Sequence, residues 1–67
     1  MSRAAKAERF ISKILSEYPN SIYPAMTEAA AQSAIELAYH LGDIGDKSYD
    51  DFNQRLRRMT DRKGVAA

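Results

Sequence analysis

The chain has 67 residues, no cysteine, one histidine, and ten Lys and Arg against nine Asp and Glu, for a net charge of +1. That length holds at most one small domain, and without cysteine there is no disulfide framework, thiol nucleophile or zinc-finger ligand set. His40 alone makes no histidine cluster for a metal, and no apolar run approaches the roughly 18 residues that span a bilayer.

The first predicted helix covers residues 2–18. Ala7, Phe10, Ile11, Ile14, Leu15 and Tyr18 recur at spacings of three and four and make one apolar stripe, with Lys6, Arg9, Lys13 and Ser16 opposite. Ser2 is a candidate N-cap, and Pro19-Asn20 is the stop, because proline disfavours helical geometry in the residue before it. Residues 1–17 carry four cations against Glu8 and Glu17, net +2. The charges of Met1-Ser2-Arg3-Ala4-Ala5-Lys6 are followed by no apolar signal segment, so a cytoplasmic chain is expected.

A five-residue linker, 19–23, sets the second helix beside the first. It is expected over 24–41, starting at Pro24, with Thr27 as an alternative N-cap, and ending at Gly42, which suits a left-handed C-cap. Glu28, Gln32, Glu36 and His40 form a single polar row, and almost every other position is alanine or apolar. A helix polar along one narrow strip needs cover around most of its circumference, more than two short helices supply. Burial in a homodimer or higher oligomer, or against a partner protein, is therefore expected, with Ala31, Ala34, Ile35, Ala38 and Leu41 as the self-association residues.

The turn Asp43-Ile44-Gly45-Asp46-Lys47 leads into a third helix expected over 48–62. Ser48-Tyr49-Asp50-Asp51 has the capping-box pattern, Tyr49, Phe52, Leu56 and Met59 make its apolar stripe, and Gly64 is its stop. Residues 63–67 read as a frayed tail. Residues 18–54 net −5, with six acids against Lys47, and residues 55–67 net +4. A near-neutral total thus conceals a basic–acidic–basic order. The whole is an all-α domain of three short helices.

A catalytic site needs a nucleophile, a base and an orienting group in one pocket. The only histidine pairs one turn away with Glu36, as an exposed i, i+4 contact would, so no enzyme activity, cofactor or small-molecule substrate is expected. A calcium loop counted from Asp43 fails, since its twelfth residue is Gln54 and Gly45 falls where a ligand is required. The acids do suggest a partner. Asp43, Asp46, Asp50 and Asp51, beside Tyr39, Tyr49 and Ile44, suit a basic protein surface of the kind DNA-binding regulators carry. Arg55, Arg58, Arg62 and Lys63 are the candidate phosphate contacts of the alternative, a small nucleic-acid-binding protein.

Leu37-Ala38-Tyr39-His40-Leu41-Gly42 resembles the first helix and turn of the helix-turn-helix family, with Ala38 and Gly42 at the family's spacing of four. The sequence then departs from it. Ser48 stands where the family has a β-branched apolar residue, and the would-be recognition helix opens on Asp46, Asp50 and Asp51, which phosphates repel. In size and helical composition the chain is also similar in type to small regulatory proteins of phages and prophages, antirepressors included. That likeness implies a non-catalytic protein that modulates another protein, a transcription regulator foremost.

Overall fold

The computed structural model describes residues 2–66, and the side chains of residues 2–61. Helix α1 is Arg3–Glu17, a 3-10 turn follows at Tyr18–Asn20, α2 is Pro24–His40 and α3 is Asp46–Ala66, with no strand among the described residues. The expected all-helical, three-helix architecture is the one observed. Helix α2 lies centrally and packs against both α1 and α3, which touch each other less.

Local chemistry sets each boundary. The Ser2 hydroxyl accepts from the Ala5 N–H at 3.1 Å and caps α1. At its other end Tyr18 keeps helical angles, φ −55° and ψ −47°, although Pro19 follows. Its buried ring holds it there, and the chain stops by tightening into the 3-10 turn rather than by leaving helical geometry at Tyr18. Pro24 occupies the first turn of α2, and Thr27 is not its N-cap. The Thr27 and Ser21 hydroxyls instead bond each other at 2.6 Å, tying the linker to the helix.

Helix α2 closes as a Schellman motif. Asp43 N–H donates to Ala38 C=O at 2.8 Å and Gly42 N–H to Tyr39 C=O at 3.0 Å, with Gly42 at φ +79°. Helix α3 begins two residues earlier than its sequence suggests. Asp46 sits in its first turn, and Ser48, no longer needed as a cap, donates to Glu8 of α1 at 3.1 Å. The helical backbone also runs through Gly64, the expected stop, to Ala66. Glycine inside a helix costs only about 1 kcal/mol relative to alanine. Of the expected tail, residues 63–66 are helical backbone and Ala67 lies outside the described residues.

The core is small: Ile11 and Leu15 from α1, Ala31, Ile35 and Ala38 from α2, Ile44 from the turn, and Phe52 and Leu56 from α3. No polar or charged side chain is buried among the described residues. A core of this size leaves a stability margin of only a few kcal/mol, about 3–5 at this length.

Candidate interaction surface

Helix α2 meets α1 along one side and α3 along the other, so its outward face is decided by what remains. The polar row Glu28, Gln32 and Glu36 lines the groove toward α3. Glu36 accepts from the Tyr49 hydroxyl, and His40 lies 3.6 Å from its carboxylate. The row facing solvent is instead Met26, Ala30, Ser33, Leu37 and Leu41, spaced four, three, four and four apart and uncharged throughout. Met26 is 70% exposed, Leu37 60% and Leu41 57%. Phe10 of α1, 58% exposed, lines one apolar cleft with Ala34, Leu37 and Leu41. Ile22 and Tyr23, both exposed, lie in the linker just before α2.

Three of the five expected self-association residues are thereby corrected. Ala31, Ile35 and Ala38 are buried in the chain's own core and have no surface to offer a partner. Ala34, half-buried, and Leu41, exposed, do border the open face. Phe10 lies at the edge of the α1 apolar stripe and is exposed, bordering α2 without entering the core. The signal that identifies the face is the α2 row itself, read as the side opposite Ala31 and Ile35.

The acidic cluster divides. Ile44, 4% exposed, belongs to the core and not to a partner surface. Asp43 receives a two-pronged contact from Arg3, with Nε to Oδ1 at 3.1 Å and a terminal guanidinium nitrogen to Oδ2 at 3.2 Å. This clips the start of α1 to the turn. Tyr49, half-buried, stacks on Tyr39 with ring centroids 4.1 Å apart, and the Tyr39 hydroxyl donates to Asp46 at 2.6 Å. The bond to Asp46 and the charge of that carboxylate raise the Tyr39 pKa above its ordinary value. The bond to Glu36, with desolvation next, raises that of Tyr49. A phenol donating to a carboxylate resists ionising beside it. Asp46, Asp50 and Asp51 remain exposed, Asp50 accepting from Gln54 at 2.9 Å.

The basic residues are interleaved with acids. Arg55 lies over the Phe52 ring, 5.7 Å from its centroid, and lines an α1–α3 cleft with Arg58, Glu8 and Asp51. The side chains of Arg62 and Lys63 lie outside the described residues. Among the described residues no group of three or more metal-ligating side chains gathers, and no helix is long and apolar enough to cross a membrane.

Neither a family model, nor a curated protein, nor a solved structure matches the chain.

Proposed function

We propose that the chain is a small non-catalytic interaction protein that works by binding other protein surfaces and regulating what it binds. The observation that carries this reading is the uncharged outer face of α2, continued by Phe10 of α1. An exposed, largely apolar row of this kind on so small a domain supports a surface that another protein covers, and Phe10 and Met26 are residue types enriched at interfaces.

The exposed carboxylates of Asp46, Asp50 and Asp51 support a basic target, the chemistry that a DNA-binding transcription regulator presents. A phosphate-gripping role has less support, since Arg55 and Arg58 share their cleft with Glu8 and Asp51. The reading is tested by affinity capture from the source cells with wild-type and Leu37→Glu baits. Wild type should retain a protein that the variant loses, with both baits equally helical by circular dichroism. Identical captures by the two baits would count against the reading. Charge reversal at Asp46 and Asp50 in an otherwise wild-type bait isolates the contribution of the acidic end.

A further inference from the structure

The open face of α2 has two flanks of opposite sign, and they select its occupant, given the reading above that this face docks protein. On α1, Arg3, Lys6, Phe10, Lys13 and Glu17 are spaced three and four apart and share one side of the helix. Arg3, Lys6 and Lys13 are cations, of which Arg3 is already engaged by Asp43, and Glu17 is an anion. Across the face, the α2–α3 groove carries Glu28, Glu36, Asp50 and Asp61 against Arg57. Phe10 lines the same cleft as Ala34 and Leu37, so Lys6 and Lys13, one turn to either side of it, bracket the level of α2 at which Glu36 sits on the opposite flank. Glu36 keeps 41% of its side chain exposed.

We infer that the occupant is a second copy of this chain, its α2 parallel to the first about a two-fold axis running along the two helices. A two-fold interface must be complementary to itself. An axis along the helices exchanges left and right, so each cationic α1 flank meets the partner's carboxylate flank. An axis across the helices makes them antiparallel and sets each flank against its own kind. Like charges juxtaposed across an interface oppose association, and unlike ones favour it and fix register. The apolar row supplies the contact, with Ala30 and Ser33 at its middle small enough for close helix approach, and the flanks choose the direction.

The absence of cysteine makes the arrangement directly testable. Met26→Cys and Ser33→Cys place single thiols at two exposed positions seven residues apart on the row, about 10 Å along the helix. About a parallel axis every residue of the row faces its own copy. Both variants then form disulfide-linked dimers under mild oxidation, and adding Leu37→Glu lowers the linked fraction at least about tenfold. In an antiparallel pair only a residue at the crossing point meets its own copy, because a disulfide needs Cα atoms within about 7 Å. Linking of one variant without the other therefore overturns the proposal, as does linking that Leu37→Glu leaves unchanged. If neither variant links and the chain sediments as a monomer, the second copy is excluded. The broader interaction reading is then decided separately, by whether the wild-type bait retains a protein that the Leu37→Glu bait loses.

Discussion

Ile35 and Leu37 stand two positions apart on α2 and do opposite work. Ile35 is fully buried between α1 and α3, whereas Leu37 is 60% exposed. Ile35→Ala should cost about 2–5 kcal/mol, enough to leave so small a domain largely unfolded at room temperature. Leu37→Ala should change the stability of a dilute sample by no more than about 0.5 kcal/mol. Thermal melts followed by circular dichroism measure both, and equal losses for the two would contradict the assignment of the α2 faces. The stacked tyrosines give a second residue-scale expectation. Because the Tyr39 and Tyr49 pKa values are raised on folding, their favourable contacts are fully present below the unfolded phenol value of about 10. Those contacts are lost as pH rises through the higher folded values. Asp46→Asn should bring the ionisation of Tyr39 back toward the ordinary phenol range, seen as an earlier rise of tyrosinate absorbance. An unchanged titration would mean that the Tyr39–Asp46 bond does not persist in solution.

The helices were legible in the sequence because their terminators act locally. The Ser2 cap, Pro24 in a first turn and the left-handed Gly42 each need only neighbouring residues, and each is found in its expected role. The ends that depart from the local pattern are settled by tertiary contact. Ser48 has the capping pattern, yet Glu8 from another helix takes its hydroxyl, and α3 starts at Asp46 instead. Burial of Tyr18 likewise holds helical angles before a proline. The two turn glycines separate the cases by experiment. Gly42 has φ +79° with open space around a would-be Cβ, so Gly42→Ala should cost about 1 kcal/mol through the backbone alone. Gly45 has the same open space without a left-handed angle, so the weaker capping by alanine before α3 is offset by the entropy alanine removes from the unfolded chain, and Gly45→Ala should stay within about 0.5 kcal/mol. Chemical denaturation of the two variants checks the contrast, and equal costs would contradict the Schellman assignment.

For the whole molecule, the alanine-rich composition of α2 marks it as the central packed helix but does not show which side stays open. The polar row Glu28, Gln32, Glu36 and His40 looks like the solvent face when α2 is considered alone. Glu28, Gln32 and Glu36 border the groove toward α3, where Glu36 accepts from the Tyr49 hydroxyl, while His40 stays 73% exposed. Burial of Ala31 and Ile35 in the core leaves Leu37 and Met26 on the outer side. Cross-helix contacts of this kind leave no local pattern in the sequence, and three of the five expected self-association residues, Ala31, Ile35 and Ala38, lie on the buried side. The acidic patch was legible only in part for the same reason: Arg3, forty residues away in the chain, pairs with Asp43. If the outer face is covered by protein in solution, stability is linked to association and the wild-type melting temperature rises with protein concentration. The most direct measurement is sedimentation equilibrium of wild type and Leu37→Glu across the micromolar range, with helicity monitored in parallel. The account predicts a wild type that moves from monomer to dimer with rising concentration and an equally helical variant that remains monomeric throughout. A wild type that stays monomeric across the whole range, indistinguishable from Leu37→Glu, would contradict it.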